Sequence, residues 1–155
     1  MVFNGAYVFD PLKGTHLVTN LLDNQIALTL IKSGVERGLT PFVFGLDGEH
    51  EALLHSNPDN LGQEMFLKHR SGDKRLRYVN DIHLLDSNIT LNFIAAYEEL
   101  SSYKQWAEQK FTNSLRIQFM EDTYLPGYHT LEFYHPQADK GRMLNKAVYI
   151  TLDSY

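Results

Sequence analysis

Cysteine is absent from the 155-residue sequence. That excludes a disulfide framework, a thiolate nucleophile and any Cys-ligated metal centre, and it fits a chain made in a reducing compartment. Long apolar runs are missing as well. No stretch approaches the ~20 residues needed to cross a bilayer, so membrane insertion is not expected. The start, MVFNGAYVFDPLKG, has no basic leader or long apolar core and does not read as a secretory signal. Excess positive charge is lacking too: the net charge is −5, which argues against general nucleic-acid affinity, because that needs clustered Lys and Arg to displace counterions from phosphates. No GxSxG elbow, GxxxxGKS/T loop or GxGxxG turn occurs, so neither a cofactor nor a nucleophilic enzyme is expected.

What is present is enough apolar residue, 43%, for one complete core, and residues 1–155 read as a single domain. Nine Tyr and nine Phe suit a pleated, half-buried surface. AYVF reads as a short strand, and Thr15 to Asn24 fits a helical face or a buried strand equally. Gln25 to Lys32 alternates, with Ile26, Leu28 and Leu30 on one side, which predicts a strand. Phe42 to Phe44 is another strand. HEALLHSNPDN reads as a helical turn or a loop, and MFLKHRSGDKRLRYV as a hairpin near residues 65–79 with its turn at Ser71-Gly72-Asp73.

From Ile89 the pattern sharpens. Ile89, Leu91, Phe93, Ala95 and Tyr97 share one strand face, with Thr90 and Asn92 opposite. After Glu98 the period changes, and Leu100, Tyr103, Ala107 and Phe111 fall on one helical face flanked by Trp106. Leu115, Ile117 and Phe119 alternate again. HTLEFYH places His129, Leu131, Phe133 and His135 on one face and Thr130, Glu132 and Tyr134 on the other, and KAVYITL predicts a last strand. Together these predict a mainly β fold with one or two helices, a β-sandwich or barrel flanked by an α-helix.

Seven histidines invite a metal reading. His50 and His55 in GEHEALLH stand five apart, roughly 140° around a helix, whereas a zincin pair at i, i+4 reaches one metal. His129 and His135 bracket an apolar row, and no third ligand is nominated by spacing. No metal site is therefore expected. Charge leaves one local feature: Lys68, Arg70, Lys74, Arg75 and Arg77 cluster in an otherwise acidic chain. Such an arm suits contact with the acidic surface of an adjacent subunit.

The order strand, helix, strand, strand, strand over Ile89–Asp153 resembles the tail-tube fold of phage distal tail proteins, on the segments ITLNFIAAYEE, SSYKQWAEQKF, LRIQF, YHTLEFY and KAVYITL. The resemblance implies a structural protein rather than an enzyme. It implies a ring, typically a hexamer, that continues the tail tube or joins it to the tail tip. Its partners would be other copies of itself, other tail proteins and DNA in transit through the channel. Its location would be the virion tail, and the host cytoplasm before assembly. The alternative is a small acidic immunity or anti-defence protein that blocks a partner enzyme. A His-dependent hydrolase is a third option.

Overall fold

The computed structural model describes residues 7–10, 15–122 and 125–138. Strands β1 (Tyr7–Asp10) and β2 (Thr15–Thr19) pair antiparallel as a two-stranded ribbon. The chain then enters α1 (Asn24–Glu36), where the Asp23 carboxylate accepts from the backbone N–H groups of Gln25 and Ile26 at 2.9 and 3.0 Å. This helix corrects the strand expected from Gln25 to Lys32. Its buried residues are Ala27, Leu30, Ile31 and Gly34, spaced i, i+3, i+4 and i+7, while Leu28 is 44% exposed. The helical period explains the burial, and the alternation was coincidental.

β3 (Phe42–Asp47) and β4 (His50–His55) form a tight hairpin, with Gly48 at φ +64° in the turn. β4 was expected to be a helical turn or a loop. Its Ala52, Leu53 and Leu54 are buried in succession because both faces of the strand are covered, which leaves no alternation to read. The hairpin expected near 65–79 is instead a helix, a turn and a strand: α2 (Leu61–His69), then β5 (Leu76–Tyr78), which lies parallel to β4. Asn60 caps α2, its side-chain oxygen accepting from Gln63 N at 2.9 Å and its amide donating to the Ile94 carbonyl at 2.9 Å.

β6 (Ser87–Ala96), α3 (Tyr97–Lys110), β7 (Arg116–Glu121) and β8 (Tyr128–Tyr134) follow in the expected order. The strand expected over KAVYITL lies outside the described residues. Six strands make one sheet in the order β5-β4-β3-β6-β8-β7, and every pair except β4–β5 is antiparallel.

Helices cover this sheet from both sides. On one face α1 and α3 bury Leu30, Leu100 and Tyr103 against Val43, Leu91, Phe93, Leu131 and Phe133. The Tyr103 hydroxyl donates to the Leu30 carbonyl at 2.5 Å and ties the two helices together. On the other face α2 inserts Phe66 against Phe42, Phe44, Leu53 and Ile94. The β-sandwich or barrel is thus overturned: a mixed α/β sheet with three helices among the described residues stands in its place. The apolar face that a second sheet would have covered is covered by α1 and α3.

Candidate functional site

Strand register builds the site. On the α2 face, Phe42 of β3, Asn92 of β6, Glu132 of β8 and Gln118 of β7 are successive cross-strand partners. Two residues along, Phe44, Thr90, Tyr134 and Arg116 form the neighbouring row on the same face. Each row runs from an aromatic ring into polar groups. Phe42 and Phe44 meet Phe66 of α2 at ring distances of 4.3 and 6.3 Å, so the helix sits over the aromatic end and not over the polar one.

One turn beyond Phe66, Arg70 lays its guanidinium 3.7 Å from that ring's centre, a cation–π contact that fixes its direction. Arg75 arrives from the turn before β5. Its Nε and Nη2 donate to the Asp73 carboxylate at 3.1 and 2.8 Å, and Glu51 lies 3.5 Å from Nη1. Hydrogen bonds from Arg75 hold the Asp73 carboxyl down to about 2. Phe44, Arg70, Arg75, Thr90, Asn92, Glu132 and Tyr134 line a cleft of about 320 Å³.

Two groups in it are out of the ordinary. Asn92 is 6% exposed, and its side-chain oxygen has no hydrogen-bond partner among the described residues. A buried acceptor left unsatisfied costs about 1–3 kcal/mol, which a bound donor would recover. Glu132 stands beside it across the β6–β8 ladder. Burial pushes its carboxyl above the ordinary value, against the opposing effects of the Tyr134 hydroxyl, which donates to it, and of Arg116 and Arg70. A carboxyl so displaced in a cleft accepts or donates a proton nearer to neutral pH than a solvated one does. Guanidinium groups at one side and the unmet Asn92 acceptor at the other suit a small anion that also carries a hydrogen-bond donor.

The structure separates the basic residues that the sequence grouped. Arg70 and Arg75 line the cleft, Arg77 pairs with Asp47, and Lys68 and Lys74 are exposed on α2 and the following turn. His50 and His55 sit at opposite ends of β4, and His55 packs edge-on against Tyr78. His129 packs against Tyr97 and Phe119, whereas His135 lies past the end of β8 and accepts from Gln137 N at 3.0 Å. Among the described residues no group of three or more His, Cys, Asp or Glu is arranged to hold a metal. Asn92, Glu132 and Tyr134 were not among the sequence candidates, although the alternation in β6 and β8 had already put all three on polar faces.

Residues 1–153 match the family model of the haloacid dehalogenase-like hydrolases. The chain belongs to that family. Solved structures agree in fold: a haloacid dehalogenase-like hydrolase from Bacteroides thetaiotaomicron superposes with a TM-score of 0.69 at 15% identity, covering 96% of this chain and 52% of that one. A Thermotoga maritima protein gives 0.68 at 20% identity, over 96% of this chain and 51% of its own. A haloacid dehalogenase-like hydrolase from B. subtilis gives 0.68 at 16% identity, over 96% and 56%. The chain therefore spans about half the length of the solved structures it matches. No curated protein sequence matches it significantly.

Membership of a hydrolase family overturns the tail-tube resemblance and what it implied. The non-enzyme reading falls with it, as do the hexameric ring with its tail-protein and DNA partners and the virion location. The immunity-protein alternative falls too. The physical reason lies in the first half of the chain. The resemblance rested on element order after Ile89, while in the first half α1 and α2 pack on opposite faces of a single sheet to which the β3–β4 hairpin belongs, in place of a second sheet.

Proposed function

We propose that the protein takes part in hydrolysis of a small anion that also bears a hydroxyl or amino group, and that the Asn92–Glu132 cleft holds this substrate. Family membership supports the reaction class. The buried oxygen of Asn92 carries the assignment of the site, because it needs a donor that none of the described residues supplies. Arg70 gives the anion a fixed, delocalised cation, and Arg75, already braced by Asp73, is pre-organised for the same purpose.

Calorimetric titration with glycerol 3-phosphate and with methyl phosphate, two anions that differ in hydroxyl groups, tests this reading. Glycerol 3-phosphate should bind more tightly, and Asn92→Leu should erase the difference. Arg70→Met should weaken both by about tenfold, equivalent to about 1.4 kcal/mol. Release of inorganic phosphate from the bound ester, monitored in the same samples, tests the reaction class. Unchanged affinities in both variants would remove the cleft from the account, whatever the hydrolysis result.

A further inference from the structure

The helical face of the sheet, on the far side from the cleft, carries a second concavity. It lies between α1 and α3, has a volume of about 510 Å³, and is lined by Thr29, Lys32, Ser33, Glu36, Arg37, Trp106 and Lys110. The α1 wall is a ridge of positions four apart, Thr29, Ser33 and Arg37, with Lys32 and Glu36 beside it. The α3 wall is the i, i+4 pair Trp106 and Lys110. Small hydroxyl side chains on one wall keep the floor open.

Three cations meet here in a chain whose net charge is −5. Among the described residues none of Lys32, Arg37 or Lys110 is ion-paired with a carboxylate, unlike Arg75, Arg77 and Lys104. Among the described residues Glu36 is the only acidic one on the walls, so this lining carries two net positive charges. Two of the cations are held in place. The Arg37 guanidinium lies over both Tyr103 and Trp106, 5.2 and 5.7 Å from their ring centres, and hydrogen bonds Ser102 Oγ at 3.5 Å. The Lys110 ammonium lies 5.9 Å from the Trp106 ring centre. Arg37, past the end of α1, bonds Ser102 in the first half of α3, and Lys110 at the end of α3 shares the groove with Thr29. The helices therefore run antiparallel, and their dipoles offset one another along the groove.

We propose that this groove binds a small polyanion of the pyrophosphate class. Two adjacent phosphoryl groups offer enough negative charge to engage cations from both walls at once, whereas a single carboxylate would satisfy one wall. Ring-supported cations lose little freedom when they pair, so binding comes from several modest charge-assisted contacts acting together. Such contacts weaken as salt rises. Pyrophosphate occurs both as the free inorganic ion and within nucleoside diphosphates, and the groove's charges recognise the moiety common to both.

Trp106 is the sole tryptophan of the sequence and lies under two of the cations, so its fluorescence reports directly on the groove. Titration with inorganic pyrophosphate, adenosine diphosphate and inorganic phosphate, at low and at 0.5 M salt, is the test. The first two should give saturable changes in emission, at least tenfold tighter than phosphate and weaker in high salt. Equal affinity for pyrophosphate and adenosine diphosphate assigns recognition to the phosphates alone, and tighter binding of the nucleotide adds its ring to the same site. Lys32→Glu with Lys110→Glu, both exposed positions, should lower the affinity at least tenfold with an unchanged circular dichroism spectrum. Arg70→Met, in the cleft, should leave it unaltered. No saturable change with either diphosphate, or affinity unaffected by the double variant, would overturn the proposal.

Discussion

At the scale of single residues, Glu132 is the group whose protonation the fold most clearly alters in the cleft. Burial raises its folded-state pKa above the unfolded value, although Tyr134, Arg116 and Arg70 oppose the rise. The folded chain then holds a proton that the unfolded chain has already released, so stability falls as pH climbs from the unfolded value through the folded one. Below that window Glu132 is protonated in both states and costs nothing. Glu132→Gln should therefore raise the melting temperature at pH 7 and leave it nearly unchanged at pH 4, as read by calorimetry across that range. A uniform change at both pH values would mean that the carboxyl is not desolvated.

At the scale of elements, Gly45 shows how closely β3 and β6 approach. The register between these strands shifts at Phe44/Gly45, and a Cβ on Gly45 would lie 2.0 Å from the Ser87 carbonyl oxygen. Backbone cannot retreat as a side-chain tip can, so Gly45→Ala should cost about 2–3 kcal/mol in a urea titration. Val35→Ala, at a position 54% exposed, should change stability by less than about 0.5 kcal/mol in the same titration. A Gly45→Ala chain as stable as the parent would show that the two strands are not held at this spacing. α3 was legible in the sequence because Leu100, Tyr103 and Ala107 recur at helical spacing straight after a strand of period two, and all three are buried. Phe111 was expected to share their face. It instead caps the helix, is partly buried, and packs edge-on against Trp106 at 6.1 Å. α1 was misread because Ile26, Leu28 and Leu30 also satisfy period two over a short run. Only the Asp23 cap and the burial of Ala27, Ile31 and Gly34 separate the two readings. The cleft was half legible. Alternation put Asn92 and Glu132 on polar faces, but nothing local in the chain says that β6 pairs with β8, and that pairing is what brings them together.

At the scale of the whole molecule, one sheet separates two polar surfaces. The α1–α3 face buries its apolar residues and gathers cations on the outer groove, while the α2 face leaves a polar strip of Thr90, Asn92, Glu132 and Tyr134 beside its aromatic layer. Element order alone misassigned the chain because strand, helix, strand, strand recurs in unrelated architectures. The first half and the family match correct it. Amide chemical-shift mapping of the 15N-labelled protein during titration with glycerol 3-phosphate tests whether this polar strip receives the substrate. Saturable shifts should concentrate at Arg70, Thr90, Asn92, Glu132 and Tyr134, with the Asn92 side-chain amide among the largest. Shifts confined to other surfaces, or none at millimolar ligand, would contradict it.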